Sequence, residues 1–226
     1  MGIVYEELVE QFGFSPAQMI MIGLVKAGEV LEVGASSGYL TKEFQKNGAT
    51  VDAVELDPCA ARKTKEIARQ VFIGSIEDEN IQKLITKRHD FVVCADVLEH
   101  LVNPEQVLKF LMTRLKENGQ IIISIPNVAC WWMRITLLKG RFDYEESGLL
   151  DKTHLRFYTY DGFLELLKRL SIHTVRVFPA ETRIPLEFAL KKVPGINFIV
   201  HKWLKPFLVS KYPNLSVSHY VVQAII

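Results

Sequence analysis

The sequence predicts a doubly wound α/β domain: a seven-stranded, mostly parallel sheet with helices on both faces. Three observations carry that prediction. Short apolar runs alternate with helical patterns along most of the 226 residues, the signature of successive βαβ units. The run Phe91 to Ala95 is apolar throughout rather than at alternate positions, as a central strand buried on both faces requires. Near the start, an apolar strand passes through a turn of small residues, Gly34-Ala35-Ser36-Ser37-Gly38, directly into a helical pattern.

Taken in order, Glu29 to Gly34 reads as the first strand, and Tyr39 to Gln45 opens the helix behind it. Thr50 to Glu55 is the second strand, Pro58 to Arg69 the second helix, and Gln70 to Ile73 a short third strand. After the fourth strand comes a helix punctuated at both ends. Asn103 stands at its cap, Pro104 in its first turn, where a missing N–H is harmless, and Gly119 beyond its end. Val107, Leu108, Leu111, Met112 and Leu115 form one apolar stripe along it. Gln120 to Ile125 is the fifth strand, stopped by Pro126. A helix capped by Thr159 or Asp161 runs to Leu170, and strands near Thr174 to Phe178 and His219 to Ala224 complete the sheet. Two stretches interrupt the alternation, at about 127–156 and 181–216. Both mix aromatic and basic residues, as in Trp131-Trp132-Met133-Arg134 and His201-Lys202-Trp203-Leu204-Lys205, and Pro185, Pro194, Pro206 and Pro213 cut the second into short pieces. They read as cap or lid insertions in a single domain spanning 1–226, because loops at the carboxyl edge of such a sheet are free to vary.

Composition narrows the function by exclusion. Apolar residues make up 49% of the chain, enough for a core without disulfides or a structural metal. Lys and Arg number 27 against 26 Asp and Glu, so no global field draws the chain to nucleic acid and no such partner is expected. Cys59, Cys94 and Cys130 are widely spaced and fit neither a zinc pattern nor a disulfide framework. Cys94, inside an apolar run, reads as a small core hydrophobe. The N-terminus lacks the pattern of a signal peptide, and no segment has the length of apolar sequence that a membrane span needs. The expected location is therefore cytoplasmic, with peripheral contact at the inner face of the membrane left open.

The chemistry is concentrated at the small-residue turn. Such a turn lets backbone N–H groups approach a ligand closely, with a helix N-terminus behind them. Glu55 follows Gly34 by twenty-one positions and closes the second strand, where a carboxylate can accept hydrogen bonds from both hydroxyls of a ribose. Together the two features point to an adenosine-containing ligand. In Leu31-Glu32-Val33-Gly34-Ala35-Ser36-Ser37-Gly38, Val54-Glu55-Leu56-Asp57, Asp90 to Leu101 and Leu115 to Gln120, the chain resembles the class I S-adenosylmethionine-dependent methyltransferases. The resemblance covers about residues 28–178 and the last strand. It implies a Rossmann-like fold with an antiparallel last strand and S-adenosylmethionine as cofactor. The expected cofactor contacts are Glu32, Gly34, Ala35, Ser36 and Gly38 at the methionine end, then Glu55 and Leu56 at the ribose. Ser75 and Ile76 follow at the adenine, and Asp96, Val97 and Leu98 beside the sulfonium. Two positions depart from the pattern. Ser36 stands where many relatives have a second glycine, and Ser75 where relatives often carry an aspartate, with Glu77 or Asp78 as substitutes.

Other readings of the same residues stay open. Gly34 to Gly38 also matches the G-x-S-x-G elbow of a serine hydrolase, with Ser36 as nucleophile and His154 or His173 as base, although that fold places several strands before its elbow. A nicotinamide dehydrogenase would share the ribose carboxylate, and a non-catalytic module could bind the cofactor without transfer. For a methyltransferase, alignment is the main task, and a base is needed only for an acceptor that must lose a proton. His100 and His154 are the candidates. The stretch from Leu138 through Thr159 resembles a branch of the family found among enzymes of cell-surface polysaccharide and lipid modification. It implies a small-molecule, glycan or lipid-linked acceptor, with oxygen the favoured atom. Some methyltransferases acting on hydroxyls bind magnesium, and the matching set here is Asp96, Glu99, His100 and His154; the preference of Mg2+ for oxygen ligands weighs against it. Trp131, Trp132, Trp203 and Phe207, with Arg134, Lys202 and Lys205, fit either an apolar lid or a membrane interface.

Overall fold

The computed structural model describes residues 9, 11–182 and 200–225. Seven strands form one sheet: β1 (Gly28–Val33), β2 (Ala49–Glu55), β3 (Gln70–Ile73), β4 (His89–Ala95), β5 (Leu115–Pro126), β6 (His173–Thr182) and β7 (Val217–Ile225). Their order is β3-β2-β1-β4-β5-β7-β6. The first five are parallel, and β7 runs antiparallel between β5 and β6. The expected sheet, including its antiparallel last strand, is the observed one.

Helices α1 (Pro16–Leu24), α2 (Tyr39–Lys46), α3 (Pro58–Thr64), α4 (Glu79–Leu84), α5 (Pro104–Thr113) and α7 (Tyr160–Arg169) flank the sheet, and α6 (Trp131–Leu138) follows β5. Adjacent strand residues point to opposite faces, so each strand feeds two cores. Leu31, Val92, Ile121 and Ile123 pack with Leu108, Leu111 and Phe163 on one side. Val30, Val93 and Ile122 pack with Met21, Leu40 and Phe44 on the other.

Three expectations are corrected. Regular helix after β2 ends at Thr64 rather than Arg69, and single turns carry the chain to β3. Asn103 holds the cap position of α5 without a side-chain hydrogen bond to the helix; its own N–H is held by Glu77 Oε1 at 2.7 Å. Gly119 lies within β5, because the β4–β5 register shifts between His89 and Phe91 and the chain bulges through Asn118, which takes a φ of +61°. Helix α1 was not anticipated. Ser15 Oγ accepts from the Gln18 N–H while Gln18 Oε1 accepts from the Ser15 N–H, a capping box followed by proline at the first helical position.

The first interrupting stretch packs on its own small cluster of Cys130, Met133 and Leu150. Buried Asn127 ties it to β7, donating from Nδ2 to the Val217 carbonyl at 2.6 Å. Of the second stretch, residues 183–199, with Pro185 and Pro194, lie outside the described residues. The remainder forms a π-helical turn (Val200–Leu204), α8 (Lys205–Lys211) and α9 (Pro213–Ser216), with Pro206 and Pro213 in first turns, where proline is tolerated.

Candidate active site

The strand order reverses between β1 and β4, and ligands of open α/β sheets bind at the carboxyl edge of such a switch point. A cavity of about 430 Å³ lies there, within the range of small-molecule sites. Gly34 sits at its floor with φ of +74°, and a Cβ on it would lie 2.7 Å from Val97 Cγ2, so the β1 and β4 loops meet with no room between them. Ser36 takes a φ of +52°, the left-handed shape that a glycine would adopt freely. Its N–H donates to Glu55 Oε2 at 2.6 Å, and Glu55 Oε1 accepts from the Asp57 N–H at 2.8 Å. Each carboxylate oxygen keeps lone-pair capacity for a further donor. The backbone around the turn thus holds the carboxylate that a ribose would meet.

The far end of the cavity is built from side chains. Asp96, another non-glycine with positive φ (+53°), is held by Ser124 and His219. Ser124 Oγ donates to Asp96 Oδ1 at 2.8 Å and accepts from the Asp96 N–H at 2.9 Å; His219 Nε2 lies 2.7 Å from the same Oδ1. Burial alone would lower the His219 imidazolium, but the Asp96 carboxylate overrides it and raises it to about 9. Burial would likewise raise Asp96, and His219, then Ser124, bring it below the usual carboxylate range. Beside this pair, the His100 and His154 rings meet edge-to-face, centroids 4.7 Å apart. Thr153 Oγ1 donates to Asp151 Oδ1 at 2.6 Å and lies 3.0 Å from His100 Nδ1. Since its proton is committed to Asp151, Thr153 can only accept from His100, which puts the imidazole proton on Nδ1 and leaves Nε2 with a lone pair.

Glu99 lies under both histidines with neither carboxylate oxygen hydrogen-bonded. Burial, then the Asp96 charge, pushes its carboxyl well above the usual range. Ligand atoms of Glu99, His100 and His154 all lie within 4.8 Å of one another, a grouping able to hold a metal ion.

Residues 6–171 match a family model described as a methyltransferase domain, nearly three quarters of the chain. The chain belongs to that methyltransferase family. It is a class I enzyme of the S-adenosylmethionine-dependent kind. Its sequence is similar to the ubiquinone biosynthesis O-methyltransferase of Coxiella burnetii, 26% identical over 188 residues, 77% of this chain and 76% of that one. The mitochondrial ubiquinone biosynthesis O-methyltransferase of Schizosaccharomyces pombe is 31% identical over 105 residues, 42% of this chain and 37% of that one. In fold it is similar to a SAM-dependent methyltransferase from Archaeoglobus fulgidus, with TM-score 0.66 at 16% identity over 97% and 98% of the two chains. The plantazolicin methyltransferase BamL gives 0.62 at 15% identity over 98% and 89%.

In this methyltransferase, Gly34, Ser36, Glu55, Leu56, Ser75, Ile76, Asp96, Val97 and His100 of the expected set line the cavity. Glu32, Ala35, Gly38, Leu98 and His154 do not; they stand behind it. Glu32 is fully buried, accepts from the Thr41 hydroxyl at 2.5 Å, and is pushed by burial to about 8. Gly38 caps α2 in the left-handed conformation, while Ala35 and Leu98 are core residues. Of the suggested substitutes near the adenine, Glu77 lines the cavity and Asp78 is spent on capping α4. The proposed magnesium set divides: Asp96 pairs with His219 and is not a member of the three-residue grouping beside it. Gln18, Thr153, Ser124 and His219 escaped the sequence reading. Gln18 was signalled by its capping box. The others reach the site only through contacts more than twenty-five residues long. No helix among the described residues is long and apolar enough to cross a membrane.

Proposed function

We propose that this methyltransferase acts on a hydroxyl oxygen of a small-molecule acceptor, with His100 as the base that takes the hydroxyl proton. The observation that carries the reading is the Asp151–Thr153–His100 chain, which leaves Nε2 of a cavity-lining histidine as a proton acceptor. The names of the relatives, O-methyltransferases of ubiquinone biosynthesis, point the same way. S-adenosylmethionine supplies an electrophilic methyl group. Gly34 and Ser36 shape its floor, Glu55 holds its ribose, Ser75, Ile76 and Glu77 border its adenine, and Asp96 and Val97 flank the transferring end. The segments 127–156 and 200–216 act as insertions that cap the acceptor within one domain.

Calorimetry with S-adenosylmethionine and S-adenosylhomocysteine, on wild type and Glu55→Ala, tests the cofactor half. Label transfer to a panel of catechols and other phenols, comparing wild type with His100→Gln, tests the rest. A hydroxyl acceptor methylated equally well by His100→Gln would overturn the assignment of the base.

A second reading of the acceptor end is favoured by Glu99, whose two oxygens are buried without a hydrogen bond beside two imidazoles, Oε1 4.0 Å from His154 Nε2. A divalent ion held by Glu99, His100 and His154 would lower the pKa of an acceptor hydroxyl. Metal titration of wild type against Glu99→Gln by calorimetry, with Mg2+, Mn2+ and Zn2+, decides it; no heat with any of the three sinks it. Exposed Trp203 in the π-helical turn, and exposed Phe207 on α8 with Lys211 over its ring, support a lipid-linked acceptor taken from an anionic membrane surface. Failure to float with anionic liposomes would remove that extension.

A further inference from the structure

Asp96 is an unusual residue to find at the end of β4. It stands in the left-handed backbone region, a conformation that the surrounding structure must hold in place. What holds it converges on a single oxygen. Ser124 from β5 and His219 from β7 both bond Oδ1. Oδ2 has no partner among the described residues, although the side chain is one-third exposed and lines the cavity. The carboxylate is therefore aimed, with one oxygen anchored and the other left for a ligand.

The connectivity of the cofactor says which part meets it. Adenine, ribose and sulfonium follow one another along the molecule. With Ser75 and Ile76 after β3 and Glu55 at the end of β2, the sheet order β3-β2-β1-β4 brings the sulfonium over the β1–β4 junction, where Gly34 touches Val97 and Asp96 precedes it. We infer that the Asp96 carboxylate, locked by Ser124 and His219, is the counter-charge by which this site distinguishes cationic S-adenosylmethionine from neutral S-adenosylhomocysteine, with His219 as its positioning residue. The inference rests on the cavity being the cofactor site. The other charged or titratable groups facing the pair are His100, His154 and Glu99 toward Asp96, and Glu99 and Glu181 toward His219. A cofactor charged only until its methyl group is lost leaves more readily when the site prefers the charged form, so the arrangement also favours release of product.

The test needs no acceptor. Dissociation constants for S-adenosylmethionine and S-adenosylhomocysteine are measured by calorimetry on wild type, Asp96→Asn, His219→Gln and His219→Leu, with melting curves to establish folding. Asp96→Asn is expected to weaken the cationic ligand about tenfold, the scale of one partly solvated charge contact, and the neutral one less than about twofold. His219→Leu shifts the ratio in the same direction, and His219→Gln, which keeps an N–H to aim at Oδ1, stays near wild type. Should His219→Leu fail to fold, Ser124→Ala, which removes the other anchor, is read in its place. Equal loss of both ligands in Asp96→Asn overturns the counter-charge, and a wild-type ratio in His219→Leu overturns the positioning role. Wild type binding neither ligand would instead overturn the cofactor site itself.

Discussion

The cofactor end of the cavity is held by backbone, whereas the acceptor end is held by side chains. At the first, Gly34 and Ala35 N–H groups both bond the Val54 carbonyl, and Ser36 and Asp57 N–H groups fix Glu55. Those contacts join neighbouring parallel strands and depend little on which side chains surround them. At the second, His100 takes its position from Thr153 and Thr153 from Asp151, and Asp96, where the two ends meet, is held by Ser124 and His219; one substitution could remove any of these anchors. The difference suits an enzyme whose cofactor is fixed and whose acceptor is free to change across a family. It also implies that substitutions at the two ends should fail in different ways.

Gly34→Ala should give the largest effect. Its Cβ would lie 2.7 Å from Val97 Cγ2 in a conformation that disfavours any side chain, by about 1–2 kcal/mol from strain alone. S-adenosylhomocysteine affinity should fall at least about a hundredfold by calorimetry, as strain and displacement of the β4 loop add. Val97→Ala in the same chain should recover part of the loss. Full affinity in Gly34→Ala would break the claim that backbone packing shapes this end.

Glu32 is a side chain buried behind the cofactor end, and its effect should depend on pH. Burial raises it to about 8 from an ordinary 4.5. Below the ordinary value both folded and unfolded chains hold the proton, so nothing is lost. Between the two values the unfolded chain sheds it and the folded chain keeps it, so stability falls as pH rises; above about 8 the loss is complete. Glu32→Gln should therefore gain stability over wild type as pH rises from 5 to 9, on the order of 3 kcal/mol by urea denaturation. A constant difference across that range would show that Glu32 ionises as an exposed carboxylate does.

The same division governs what could be read from the chain. The turn, Glu55 and the parallel strands were visible because their residues lie within one or two βαβ units and repeat a local pattern. His219 was counted only as the first residue of a strand. Its meaning arises because β7 inserts between β5 and β6, bringing it to Asp96 across 123 positions of sequence. Thr153 carried no signal of its own either. His154 did, but it lies buried behind His100 rather than in the cavity, because the Glu99 carbonyl accepts from the Leu155 and Arg156 N–H groups and draws that segment inward. Periodicity specifies which face a residue occupies, not which distant loop will meet it.

At the acceptor end, Asn127→Ala should be more damaging than its single side chain suggests. Its Nδ2 donates to the Val217 and Asn214 carbonyls, and its Oδ1 accepts from the Ala129 N–H. Truncation leaves buried backbone groups unpaired, about 2 kcal/mol of stability measured by denaturation. S-adenosylhomocysteine affinity should stay within about twofold of wild type, since the anchors at the cofactor end are untouched. Parallel loss of cofactor binding would mean that the two ends are not separable.

The smallest effect belongs to Ser15→Ala, and it probes whether helix α1 is part of the site or only beside it. The Ser15 hydroxyl caps the helix, and Gln18, the residue that completes the box, also lines the cavity. Removing the hydroxyl should lower stability by about 1 kcal/mol, the usual value of a helix N-cap. If Gln18 serves only the cap, cofactor affinity will not change. If its position over the cavity depends on the bond from the Ser15 N–H, the loosened first turn should weaken S-adenosylhomocysteine by up to about threefold, which calorimetry resolves. The second result would extend side-chain control to the rim of the backbone-built end, because Gln18 lines the same cavity as Glu55 and Gly34.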